Sequence, residues 1–140
     1  MAVFLYSQKK RVDISSEKIG SLICSYTMSI DIDKADTLYY VYIGFQNKEY
    51  SHITDIKSVM FVDTKELSQF TSDLKKMIPE MDEKKNNFEF KRTDYVLSKY
   101  DFTKDLYLKE TRRGGYTSIS KGQVEKLIEW IEGLQFKGNG

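Results

Sequence analysis

The residues able to do covalent or acid–base chemistry are few. One imidazole, His52, stands between Tyr50 and Ile53. A histidine base needs a nucleophile and an orienting carboxylate beside it, and Asp55 nearby reads as turn chemistry. One cysteine, Cys24, follows Leu22-Ile23 and reads as a buried small hydrophobe. A single thiol excludes an intramolecular disulfide framework and a cysteine-based zinc site. Asp31, Asp33 and Asp36 are spaced so that they could ligate a hard cation. The turn glycine and closing acid of a calcium loop are missing, however, so they read as a solvated acidic turn. Gly114-Gly115 lacks the strand–loop–helix setting and following Lys-Ser/Thr that cradle a phosphate. No carboxylate pair stands out for general acid–base work. These residue types lean away from an enzyme and predict no catalytic residue, no metal and no cofactor.

Cations and rings are the more promising group. The chain has 140 residues, with 22 Lys+Arg against 21 Asp+Glu, a formal net charge of +1. That total hides a polarity. Lys84 to Lys121 holds 10 basic and 5 acidic residues, 10 − 5 = +5, which leaves 1 − 5 = −4 for the rest. Phe88, Phe90, Tyr95, Tyr100, Phe102, Tyr107 and Tyr116 are interleaved with those cations. Cations neutralise phosphates and release counterions, while rings stack on bases, so the combination suits single-stranded DNA or RNA. Lys91, Arg92, Lys109, Arg112 and Arg113 are the candidate phosphate contacts. Tyr95, Tyr107 and Tyr116 are the candidate stacking platforms. The alternative is a protein-interaction or structural module, with a second copy of the chain as one partner, since sheet edges and abundant tyrosine suit association.

These side chains must be positioned by sheets and helices. Asp63, with Glu66 three residues on, predicts a helix start with a capping box. Leu67, Phe70, Leu74, Met77 and Ile78 follow at helical spacing, and Pro79 is expected to end the helix. Ser120 and Gln123 form a second capping box, followed by Val124, Leu127, Ile128, Ile131 and Leu134. Cap, box partner and stripe all recur at one offset of 57: Asp63 to Ser120, Glu66 to Gln123, Leu67 to Val124, Phe70 to Leu127. Upstream, Tyr26-Thr27-Met28-Ser29 is answered by Tyr95-Val96-Leu97-Ser98, and Leu38-Tyr39 by Leu106-Tyr107. These matches predict an internal duplication.

Strands are expected at 26–32, 38–45, 58–62, 88–90, 95–97, 106–108 and 116–118, from alternation and β-branched or aromatic content. Gly114-Gly115 marks a hairpin turn. Met1 to Tyr6 reads as a short strand that breaks at Gln8-Lys9-Lys10-Arg11. The first copy's extra length, about 11 residues, is expected to form one more short strand or a longer hairpin, with Tyr50-Ser51-His52-Ile53 as the candidate segment. Polar Asp82 to Asn87 reads as a linker with little reason to pack. Trp130 lies to one side of the second stripe, where it finishes the core or anchors a partner. With no apolar run long enough to span a bilayer and one cysteine, the expected compartment is the cytoplasm.

The expected fold is therefore α+β: a single domain of two tandem antiparallel-sheet-then-helix repeats, about 1–81 and 88–136, with pseudo-twofold symmetry. This plan resembles the Pur-alpha and Whirly-type single-stranded nucleic-acid-binding folds. The last unit, Tyr116-Thr117-Ser118-Ile119-Ser120 into Gln123-Val124-Glu125-Lys126-Leu127, is similar to the closing strand and helix of the transcriptional-coactivator relatives of that group. The resemblance implies non-enzymatic binding of single-stranded nucleic acid through a sheet surface.

Overall fold

A computed structural model describes residues 9–50 and 52–139. Four strands lead: β1 (Lys9–Ile19), β2 (Leu22–Asp31), β3 (Asp36–Gln46) and β4 (Ile56–Phe61). They form one antiparallel meander in the order β1-β2-β3-β4. Helix α1 (Thr64–Met81) follows. A second meander, β5 (Phe88–Lys91), β6 (Tyr95–Lys99), β7 (Leu106–Glu110) and β8 (Tyr116–Ile119), leads to α2 (Lys121–Gly133). The chain is α+β, built of two similar four-stranded units with a helix after each. No helix among the described residues is long and apolar enough to cross a membrane.

Each sheet has a face turned to the helices, set by strand alternation. In the first sheet it carries Leu22, Cys24, Val41, Ile43, Phe45, Val59 and Phe61; in the second, Tyr95, Leu97, Leu106, Leu108 and Ile119. These residues join the helix stripes in one core cluster. The buried residues of α2 are Val124, Leu127, Ile128 and Ile131. Each has a buried counterpart 57 positions earlier in α1, at Leu67, Phe70, Thr71 and Leu74. The shared spacing does not run the whole length: Met77 is buried in α1, whereas Leu134, 57 positions on, is the half-buried C-cap that follows α2.

The helices do not stay on the sheets that precede them. Instead α1 packs on β5 and β6 of the second sheet, besides the strand β4 that leads into it, and α2 reaches back to β1 of the first. Phe70 shows why this holds together. Its ring meets Phe61 of the first sheet at 4.8 Å and Tyr95 of the second at 4.9 Å. The helices also touch each other, with Lys75 and Glu132 paired at 2.6 Å.

Several expectations are corrected. β1 was missed, because Lys9-Lys10-Arg11 reads as a break; these charges instead decorate an edge strand, where solvent accepts them. The strand expected at Met1–Tyr6 lies outside the described residues. Tyr50–Ile53 is turn and loop among its described residues. The first unit's extra length before its helix is shared by a longer hairpin: β3 has 11 residues against 5 for β7, β4 has 6 against 4 for β8, and the loop between β3 and β4 is longer than the β7–β8 turn. The Leu-Tyr match is not a structural one: Leu38 pairs Ser29 and is exposed, whereas Leu106 pairs Ile119 and is buried. Tyr26 and Tyr95 likewise differ, pairing Val41 and Glu110.

Helix ends differ from expectation too. Asp63 accepts from Lys65 N–H at 2.7 Å, and only Ser120 with Gln123 makes the reciprocal box. Helix α1 continues through Pro79 to Met81, since a proline in the last turn forfeits one bond while Met81 gains burial. The polar linker packs: Lys84 carbonyl accepts from Phe102 N–H, and Asn87 Oδ1 from Asp101 N–H. Asn86 carbonyl accepts from the buried Lys99 ammonium at 3.2 Å. Trp130 packs against the core, and its indole N–H donates to Ser15 Oγ at 3.1 Å.

Candidate nucleic-acid interface

The face of the second sheet away from the helices is built by parity. In β6, Tyr95, Leu97 and Lys99 point inward, so Val96 and Ser98 point out. In β7, Leu106 and Leu108 point inward, so Tyr107 and Lys109 point out. In β8, Ile119 and Thr117 point inward, so Tyr116 and Ser118 point out. Cross-strand pairing then sets two rows. One runs Lys91, Val96, Lys109, Tyr116; the other runs Glu89, Ser98, Tyr107, Ser118.

Tyr107 sits between two further rings, 6.3 Å from Tyr116 and 5.5 Å from Tyr100. The three rings form a tilted row across the face. Lys48 reaches in from the first sheet and donates through Nζ to Ser118 Oγ. Its backbone N–H also donates to Tyr116 carbonyl at 2.9 Å, which fixes the loop after β3 beside β8. Phe102 stands just past Tyr100, 72% exposed and at φ +63°. A bulky side chain in that conformation is uncommon; here it is held by the Phe102 N–H to Lys84 bond and the turn at Thr103.

Of the eight residues singled out from the sequence, four lie on this face: Lys91, Lys109, Tyr107 and Tyr116. Lys91 leans on Glu89 at 3.4 Å. Arg112 and Arg113 lie at its end, in the β7–β8 turn, where Gly114 takes φ +81°. Their backbone N–H groups donate to the buried Glu110 carboxylate at 2.5 and 2.8 Å, which leaves both guanidinium groups exposed. Arg112 also pairs with Asp94 at 3.4 Å.

Tyr95 and Arg92 are corrected. Tyr95 is 4% exposed, on the opposite side of the sheet, and cannot offer a ring to a base. Its hydroxyl donates to Asp73 of α1 at 2.8 Å. Arg92 grips the same carboxylate with two bonds of 2.9 Å, and Gln69 adds a third donor at 2.9 Å. Burial alone would raise the Asp73 carboxyl; the bonds from Arg92, Tyr95 and Gln69 outweigh it and hold it below the usual range. Burial, reinforced by that carboxylate, pushes the Tyr95 phenol upward. This network ties α1 to the second sheet and is structural.

Lys48 was not among the residues expected on this surface, and Tyr100, counted among the interleaved rings, was not among the stacking candidates. Tyr100 was legible by parity, since it follows inward-facing Lys99. Lys48 was not, because only the folded chain brings β3 beside β8. No family model, no curated protein and no solved structure matches the chain.

Proposed function

We propose that the outer face of the second sheet binds single-stranded DNA or RNA without catalysing a reaction. The observation that carries this reading is the row Tyr100–Tyr107–Tyr116 set among Lys48, Lys91 and Lys109. Rings serve any base, and ammonium groups serve the phosphates between bases. Arg112 and Arg113 extend the cationic rim at one end.

The same reading takes the chain as two copies of one strand-rich unit, related by a pseudo-twofold axis in the Pur-alpha and Whirly manner. The shared 57-residue offset of the helix stripes and the reciprocal crossing of helices onto the opposite sheet support it. Single cysteine usage supports a reducing, cytoplasmic setting.

A fluorescent single-stranded oligonucleotide titrated at two salt concentrations tests the proposal. Affinity is expected to fall by about 0.7 log units per neutralised phosphate for each tenfold rise in salt. Tyr107→Ala and Tyr116→Ala should each cost about 1–3 kcal/mol of binding. Tyr95→Phe should leave binding unchanged. Absence of binding at low salt would refute the reading.

A further inference from the structure

The two edges of the first sheet are guarded unequally. β1 opens with Lys9-Lys10-Arg11 and carries a bulge between Asp13 and Ser15. Charges and bulges keep an edge from pairing. β4, at the other edge, runs Ile56-Lys57-Ser58-Val59-Met60-Phe61 without a bulge. Its one lysine, Lys57, is folded back onto Asp55 at 3.0 Å.

Parity shows which backbone groups of β4 are free. Tyr39 uses both its N–H and its carbonyl on Asn139, on the side where β4 lies. Asn47 N–H donates to Asp55 carbonyl at 2.8 Å. Odd-numbered residues of β3 therefore bond toward β4, and their partners Lys57, Val59 and Phe61 bond back. Ile56, Ser58 and Met60 must turn their N–H and C=O groups to the open side. Among the described residues those groups have no hydrogen-bond partner.

The open side is a groove. Ile56, Met60 and Val62 offer exposed apolar side chains along β4, and the β7–β8 turn with Arg112 and Arg113 forms the facing wall. Its ends differ in charge. Arg113 lines the groove toward the Ile56 end, where the Asp55 carboxylate is already held by Asn47 at 2.9 Å and Lys57 at 3.0 Å. Glu66, in the first turn of α1, lies at the Val62 end. Asp94, also in the wall, is paired with Arg112 at 3.4 Å.

We propose that this groove takes an extended peptide as an added strand, antiparallel to β4. That direction places the peptide's N-terminal side by Glu66 and its C-terminal side by Arg113, so both ends meet the opposite charge. The partner chemistry is a strand with apolar residues at alternate positions beside Ile56 and Met60, and an acidic residue or free carboxylate at its C-terminal end. Main-chain bonds to Ile56, Ser58 and Met60 supply the affinity, and the end charges set the direction.

The probe is the synthetic peptide Lys-Val-Thr-Val-Thr-Val-Glu with free ends, added to the full chain. A capped peptide with Lys and Glu exchanged serves as control. Saturable binding is expected, with slowed amide exchange at Ile56, Ser58 and Met60 and weaker binding of the control. Ser58→Pro deletes one outward N–H and no ladder bond, a position an edge strand tolerates. It should weaken binding about tenfold, the cost of about one hydrogen bond. Arg113→Glu, off β4, should remove the preference between the two peptides, and it carries the test if Ser58→Pro does not fold. No saturable binding at millimolar peptide would overturn the proposal. So would a dimer in sedimentation whose β4 amides are already protected without peptide, because a second copy would then hold the edge.

Discussion

Asp73 is the buried carboxylate on which α1 and the second sheet converge. Its carboxylate is fully buried, yet four hydrogen bonds from Gln69, Arg92 and Tyr95 reach it. Asp73→Asn keeps the shape and removes the charge, and should cost about 2–3 kcal/mol in urea unfolding at neutral pH. The sign of the pH dependence follows from the lowered carboxyl. The folded state binds fewer protons than the unfolded one, so the contribution is whole above the unfolded value of about 4 and drains away as pH falls through the folded value. The gap between the native chain and Asp73→Asn should therefore narrow as pH drops below about 4. A gap that stays constant or widens would mean Asp73 is not held ionised. Cys24 gives a second residue-scale expectation. Burial, with Glu17 adding repulsion, pushes its thiol up to about 12. A thiol reagent at mildly alkaline pH should modify it only as fast as the protein opens, with the rate rising in urea. Modification at the rate of a free thiol in native buffer would place Cys24 outside the core.

Among the elements, legibility followed burial. In Tyr95-Val96-Leu97 and Leu106-Tyr107-Leu108 the leucines mark the inner face, so the core position of Tyr95 and the outer position of Tyr107 were both readable by alternation. β1 was not readable, because an edge strand carries little apolar signal. Nor was the role of Asn47, which looks like an ordinary turn residue. Its side chain donates to Asp55 at 2.9 Å and accepts from Glu49 N–H at 3.1 Å and Tyr116 N–H at 3.2 Å. It is 1% exposed, and it pins the loop after β3 to β8 of the other sheet. Asn47→Ala should cost about 2–3 kcal/mol, since it strands buried donors without partners. Amide exchange should quicken at Glu49 and Tyr116 before it does in the α1 core. Uniform loss of protection across both sheets would instead make Asn47 part of the global fold alone.

At the scale of the molecule, the crossing of the helices decides what can fold alone. α1 supplies Phe70 and Asp73 to the second sheet, while α2 supplies Trp130 to Ser15 of the first. A chain cut in the linker leaves each sheet short of its cover. The fragment 1–82 would carry a helix whose apolar face and buried carboxylate lack Tyr95 and Arg92. The fragment 83–140 would lack α1 over β5 and β6, with Phe70 against Tyr95. Chains of that size already bury too little surface to spare any. Neither fragment should show a cooperative thermal transition by circular dichroism. An equimolar mixture should recover one, because the interface between the halves is the core itself. A cooperative melt from either fragment alone would show two independent domains, and would leave the helix crossing as a docking contact between them.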